Sequence, residues 1–417
     1  MTQVPLDRSY RALFAVPSLG RVLLGMQIAR IAQTMVSVAI VLFTLTAYGS
    51  PALAGLVTFA SLFPGLLVSP VAGALLDRHG RARLIVLDYL VALAALILIG
   101  VLALTGHLPP WLLVLIAAVS SLTGILSHTG LRSLFPIIVP SHLWERVNAV
   151  DSNGYVVATI IGPPLAAGLV AVIGGPVTLI AIGLAFGVAA LVMRGAPDPR
   201  TEVATAGSLW RDAWAGVGYT WRNPTLRGLG FGVSVLNLSS GMVTIVVPLI
   251  ILRELDLGEA AVGWIFAISG LTGMVSAFAS GRIDTRGREW RMIVWPMLAT
   301  APVTALLLPG TGSLAFVALS MSLSGLLVGP LDIAMFTIRQ RRTDPAWMGR
   351  AFAISMAFNF MGFPIGAALA GVLAAVSLDL AIVFGTVACL VGALFAAVLI
   401  PRAEPDQVGL RAVERAT

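Results

Sequence analysis

Residues 73–83 read Gly73-Ala-Leu-Leu-Asp77-Arg78-His79-Gly80-Arg81-Ala-Arg83, and residues 281–288 read Gly281-Arg-Ile-Asp284-Thr-Arg-Gly287-Arg288. Gly73, Asp77, Gly80 and Arg81 recur as Gly281, Asp284, Gly287 and Arg288 at offsets of 208, 207, 207 and 207 residues, half of the 417-residue chain. A charged turn copied at half-chain spacing marks an internal duplication. Gly80 suits the turn because glycine reaches positive φ at little steric cost, and Asp77 can accept charge-assisted hydrogen bonds from an arginine or a helix N-terminus.

Long apolar runs surround both copies. Six lie at about residues 20–47, 51–76, 84–105, 110–134, 148–173 and 176–194, and six more at about 226–252, 259–283, 292–308, 313–338, 347–375 and 378–400. About 20 apolar residues cross roughly 30 Å of hydrocarbon, so the runs predict twelve spans, numbered 1–12 below. The chain is 58% hydrophobic and 11% charged, against roughly 25% charged for soluble domains, which excludes a soluble class. The expected organisation is an N-terminal six-helix bundle over 1–194, a linker over 195–225, a C-terminal bundle over 226–402 and a tail over 403–417. A weaker repeat pairs Arg146 and Gly162 with Arg350 and Gly366, both offset by 204. The fold class is an all-α membrane protein of two pseudo-symmetric six-helix bundles, a recurrent transporter plan.

The formal charge of +7 comes from 26 arginines and no lysine. Of these, 24 fall at the termini and in loops after even-numbered spans; Arg253 and Arg30 are the exceptions. Basic residues concentrate on the cytoplasmic side of a membrane, so both termini are expected in the cytoplasm, and no nucleic-acid partner is needed to explain the charge. The lone Cys389 excludes disulfides and Cys-based metal sites. The first apolar run is too long for a cleaved signal peptide and lacks a processing site. His79, His107, His128 and His142 are scattered without metal spacing, and neither a nucleophile–base constellation nor a phosphate-cradling loop is present. No metal, cofactor or enzymatic activity is expected. In the linker, Trp210, Trp214, Val217 and Trp221 at helical spacing, with Arg211, Asp212 and Arg222 between them, predict an amphipathic helix on the cytoplasmic surface, an anchor or a plain tether.

The loop from Gly73 to Arg83 resembles the signature loop of the major facilitator superfamily. The stretches Gly55–Arg83 and Arg146–Gly168 resemble its branch of bacterial siderophore and drug exporters. This resemblance spans essentially the whole chain. It implies alternating access, a central cavity lined by spans 1, 4, 7 and 10, and outermost spans 3, 6, 9 and 12. It also implies a conformational latch made of Gly73, Asp77, Arg78, Gly80, Arg81, Asp284, Gly287 and Arg288. On span 5, Gly154, Gly162, Pro163 and Gly168 are similar to the pattern of the family's antiporters; close packing or a kink is the plainer use of such residues.

The polar residues on the cavity spans are Gln27, Arg30 and Gln33 on span 1, Ser127 and His128 on span 4, Asn237 on span 7 and Asp332 on span 10. Arg30 lies roughly 15 Å inside its span, where an unpaired charge costs at least about 2.5 kcal/mol. It therefore either anchors a polar or anionic solute group or closes an ion pair. Asp332, with Arg339 seven residues later, is a proton-exchanging carboxylate or half of a helix-end ion pair. His128 is a titrating or a packed histidine, and Asn237 bonds a solute or a neighbouring helix. Asp88 and Asp151 read as partners for the signature-loop arginines. Gln33 stands where related exporters often carry an acid, which argues against proton coupling on span 1.

The expected activity is secondary active export of a drug-like or secreted small metabolite by proton antiport, performed by a monomer in the cell membrane. Its partners are then the solute, the lipid bilayer and protons. Uptake of a small nutrient is the alternative; a receptor or scramblase on the same fold is a remoter one.

Overall fold

The computed structural model describes residues 7, 9–198, 209–344 and 347–402. Twelve helices within it are long and apolar enough to cross a membrane: Leu19–Tyr48, Pro51–Ser69, Arg81–Leu104, Pro110–Ser127, Arg146–Ile173, Gly175–Met193, Pro224–Glu254, Glu259–Ser280, Glu289–Gly310, Leu314–Arg341, Ile354–Val376 and Leu378–Leu399. They match the twelve expected spans in order. With an even number of crossings, both described ends leave on one face of the membrane, called the termini face below; the other is the distal face.

Local chemistry sets the span boundaries. Ser50 accepts from the amide of Leu53 and is followed by Pro51 at the first helical position. Asn223 accepts from the amides of Thr225 and Leu226 ahead of Pro224. Both pairings satisfy amides that have no intrahelical acceptor and use a residue whose missing N–H costs nothing there. Span 1 ends on Gly49 at φ +61°. Both signature turns carry glycine at positive φ, +93° at Gly80 and +72° at Gly287. Span 2 is broken at Ser61–Leu62 into Pro51–Ala60 and Phe63–His79, and span 7 ends in a π-helical turn, Ile250–Glu254.

The halves pack alike. Span 1 lies on spans 5 and 6, span 3 on 4 and 6, and the second segment of span 2 on span 4. In the C-terminal half, span 7 lies on 11 and 12, span 9 on 10 and 12, and span 8 on span 10. Between the halves, the first segment of span 2 packs on span 11, and span 5 packs on span 8. These approaches are close. A Cβ on Gly371 would stand 3.0 Å from Gly55 Cα, and one on Gly263 would stand 2.7 Å from Pro164 Cα. Beside them, Arg253 Nη2 donates to the Gly49 carbonyl across the halves at 2.7 Å. Small residues let membrane helices meet backbone to backbone.

A single hydrophobic core runs through this distal seam, joining Ala54 and Val57 to Ala367 and Ala370, and Ala166 and Ala167 to Val262 and Ile265. Toward the termini face, the apolar packing divides. Leu229, Val233, Ile293, Ala334 and Ile338 form a core inside the C-terminal half; in the N-terminal half the main core continues through Leu19, Val22, Phe135 and Val147, with Leu76 and Leu126 in a small separate cluster. A recess of about 400 Å³ opens at the distal ends of spans 1 and 7, lined by Leu45, Thr46, Leu252, Arg253, Asp256 and Glu259.

The linker forms a helix, Leu209–Arg222. Trp214, Val217 and Trp221 are exposed along one side; the side chains of Trp210, Arg211 and Asp212 lie outside the described residues. Tyr219 stacks on Trp347 at 5.1 Å and accepts through its hydroxyl from the Asp344 amide at 2.9 Å, which seats the helix on the C-terminal half. Of the latch residues, Gly73, Asp77 and Arg78 have side-chain positions outside the described residues.

Candidate functional site

Span 1 leans on span 5 through a ladder of polar contacts. Gln27 Nε2 donates to the Gly154 carbonyl at 3.1 Å, Arg30 Nη1 to the Asp151 carbonyl at 2.8 Å, and Thr34 Oγ1 to the Ala158 carbonyl at 3.0 Å. Arg30 Nη2 also pairs with the Asp151 carboxylate, and its guanidinium lies over the Tyr155 ring, 4.0 Å from the centroid. Arg30 is thus closed into a buried ion pair and a cation–π contact. A Cβ at Gly154 would lie 3.2 Å from Arg30 Nη1 and collide with Gln27, and one at Gly162 would collide with Thr34. The span-5 glycines therefore make room for span 1. Pro163 and Pro164 face Gly263 of span 8, whereas Gly168 has open space beside it.

The same crossing recurs in the C-terminal half without charge. Asn237 Nδ2 donates to the Asn359 carbonyl at 2.9 Å. Asn237 follows Arg30 by 207 residues, Asn359 follows Asp151 by 208, and Gly362, packed on Ser234, follows Gly154 by 208. Contacts thus place spans 5 and 11 in register one helical turn away from the offset of 204 suggested by Arg146 and Arg350. With the Asn359 amide turned so that Oδ1 faces Arg339, it accepts from Nη2 at 2.6 Å and donates to the Ser355 carbonyl at 3.1 Å; the hydrogen-bond pattern dictates that orientation.

Asp332 does not close an ion pair with Arg339. Arg339 is fully buried, with Nη1 2.8 Å from Met356 Sδ, while the Asp332 side chain is exposed. On span 1, Gln33 is exposed and Gln27 half-buried. The His128 side chain lies outside the described residues. Asp88 does not meet the signature loop as expected, and the described contacts of Asp151 run to span 1. Asp151 turns to Arg30, and Asp88, two turns inside span 3, is held by Thr123 Oγ1 of span 4 at 2.8 Å. In the loop itself, the Arg83 amide donates to Asp198 Oδ2 at 3.4 Å. In the second copy Asp284 Oδ1 accepts from the Arg286 amide at 3.1 Å, and Arg288 is exposed. Just beyond it, Glu289 pairs with Arg341 of span 10.

The pairings missed from sequence are those of Arg30 with Asp151 and Tyr155 and of Arg339 with Asn359. The repeat offset, applied at 208 to span 5, would have paired Asp151 with Asn359.

The sequence matches the family description Major Facilitator Superfamily over residues 22–236 and 229–417. The chain is 34% identical over 401 residues to the MFS-type transporter y4rN of Sinorhizobium fredii, covering 95% of this chain and 98% of that one. It is 26% identical over 342 residues to the multidrug efflux pump Tap of Mycobacterium tuberculosis, covering 78% and 79%. Its fold is similar to that of the nucleoside transporter NupG, with a TM-score of 0.70 at 14% identity, covering 91% of this chain and 98% of that one. With twelve spans in two like halves and a family match across both, the chain belongs to the major facilitator superfamily and is a multi-pass membrane transporter.

Proposed function

We propose that this chain exports a drug-like or secreted small molecule from the cytoplasm by proton antiport, acting as a transporter and not as an enzyme, in the plasma membrane. The observation that carries the reading is that, among the described residues, the apolar core joining the halves lies at the distal seam of spans 2 and 11 and of spans 5 and 8. Two rigid halves fused at one face are what alternating access requires of one of its end states. The arginine distribution supports a cytoplasmic termini face, so the state described is the one open to the cytoplasm. The likeness to the efflux pump Tap supports the outward direction.

In this reading Gln33, Ser240 and Asp332, exposed polar groups within spans 1, 7 and 10, meet the solute in the path between the halves, together with Gln27, His128 and Asn237. Arg30 positions span 1 against span 5 through Asp151. The signature loops, with Asp77 and Arg78 in the first and Asp284 and Arg288 in the second, latch one state.

The test is accumulation of ethidium by inside-out vesicles from cells making the protein. An acid-inside gradient is expected to drive uptake, and a protonophore to abolish it. Equal accumulation with the gradient collapsed would overturn proton coupling. Loss of ethidium from the vesicle interior would overturn the export direction.

A further inference from the structure

Asp88 is a buried carboxyl, 6% exposed, and it makes no ion pair with any described residue. Its hydrogen-bond partner is a hydroxyl of span 4, Thr123 Oγ1, 2.8 Å from Asp88 Oδ1, and the Ser127 hydroxyl, one turn further on, faces the same carboxyl. Each hydroxyl has a second acceptor at hand: Thr123 Oγ1 is 3.1 Å from the Ser120 carbonyl, and Ser127 Oγ is 3.1 Å from the Gly124 carbonyl. A hydroxyl carries one proton and accepts through its lone pairs.

When Asp88 is ionised, Thr123 donates to it, and Ser127 can turn its hydrogen from the Gly124 carbonyl to join it. When it carries a proton, the acid donates to one hydroxyl, which rotates its own hydrogen to the carbonyl three residues before it. Both charge states are then fully hydrogen-bonded on one backbone. Asp151 lacks this freedom, because a proton on it would break its pair and leave Arg30 buried without its counter-charge.

A second feature points to the same place. A cavity of about 30 Å³ is lined by Arg30, Gln33, Tyr89, Ser127 and Tyr155, and the buried Tyr89 hydroxyl has no hydrogen-bond partner. The space holds one or two waters, which need polar partners of this kind. Ser127 belongs both to the cavity and to the Asp88 site, and Gln33 reaches the exposed side of span 1. Water in the cavity would therefore connect that side, past Ser127, to Asp88. The charged and titratable groups around the neighbouring Tyr89 are Asp88 itself, Arg30 from span 1 and Tyr155 from span 5, and Arg30 in turn holds Asp151. Span 6 brings only Phe186 to the cavity. The side chains of Asp77, Arg78, His128 and Arg132, on the neighbouring parts of spans 2 and 4, lie outside the described residues.

We infer that Asp88, with Thr123 and Ser127, is the proton-carrying carboxyl of this transporter, reached through a hydrated pocket at Tyr89. The inference rests on the proton-antiport reading and assigns its proton to span 3 in place of Asp332. The test uses the full chain in proteoliposomes with ethidium as probe, comparing gradient-driven accumulation with ethidium exchange at equal pH. Asp88→Asn is expected to lose driven accumulation and keep exchange, and Asp88→Glu to restore driven accumulation in part. Infrared difference spectra between acid and alkaline pH should lose the buried carboxylic C=O band in Asp88→Asn.

If wild type is driven and Asp88→Asn is driven equally, this assignment is overturned and proton antiport stands. If wild type is not driven, both fall. Should Asp88→Asn fail to insert, Thr123→Val combined with Ser127→Ala leaves the carboxyl but removes the rotating hydroxyls. Driven accumulation is expected to be lost there as well, and its persistence would overturn the inference.

Discussion

Arg30 in the N-terminal half and Asn237 in the C-terminal half do the same geometric task, donating to a backbone carbonyl of the crossing helix. Only Arg30 brings a charge, and Asp151 answers it. Removing one member of a buried ion pair typically costs about 3–5 kcal/mol, because the other is left uncompensated. Arg30→Gln and Asp151→Asn are each expected to lower stability by about that much, read as thermal unfolding in detergent. Arg30→Asn combined with Asp151→Asn copies the amide pair of the other half and should recover most of the loss. Additive losses in the double variant would show that the pair does not act as a unit. Arg30 was legible in the sequence because a mid-span charge demands an explanation. Its partner was not, since Asp151 lies 121 residues away and only the crossing of spans 1 and 5 joins them. Asp88 was misread for the related reason that its helix face, turned toward span 4, follows from packing.

At the scale of elements, hydropathy gave the twelve spans within a few residues, because lipid leaves no other way to satisfy the backbone. The break in span 2 and the π-helical turn of span 7 were not legible, since each depends on what packs beside it. The seam between spans 2 and 11 makes a sharp demand on residue size. A Cβ on Gly371 already lies within 3.0 Å of Gly55 Cα and 3.2 Å of Gly55 N. Overpacking of this kind costs about 1–3 kcal/mol, and every 1.4 kcal/mol is a tenfold change in a ratio of states. Gly371→Leu is therefore expected to shift the population about tenfold or more toward a state open at the distal face. Thiol labelling of Val57→Cys, buried in the seam, should rise accordingly. Unchanged labelling would mean that the seam is not the gate.

For the whole molecule, the duplicated loop carried the two-half plan, and the arginine distribution proposes the orientation. Arg402→Cys on the termini face is expected to react with a membrane-impermeant thiol reagent in inside-out vesicles and not in intact cells. Cys389 is buried and should stay silent in both. The opposite pattern would invert the orientation and, with it, the direction of export. Which face is closed was never in the sequence, because one sequence must serve both end states.

The distal seam also gives the cycle a thermal character. Opening that face wets residues such as Ala54, Val57, Val262 and Ala370, whereas the described core residues toward the termini face, such as Leu19, Phe135 and Val147, lie within the N-terminal half and stay covered. The apolar areas exposed in the two end states are therefore unequal, and newly wetted apolar surface raises heat capacity by roughly 0.45 cal/K/mol for each Å². The balance between end states must then curve with temperature. Because apolar association weakens on cooling, a cold membrane should find this transporter leaning outward, so that its resting posture records the climate in which its seam was tuned.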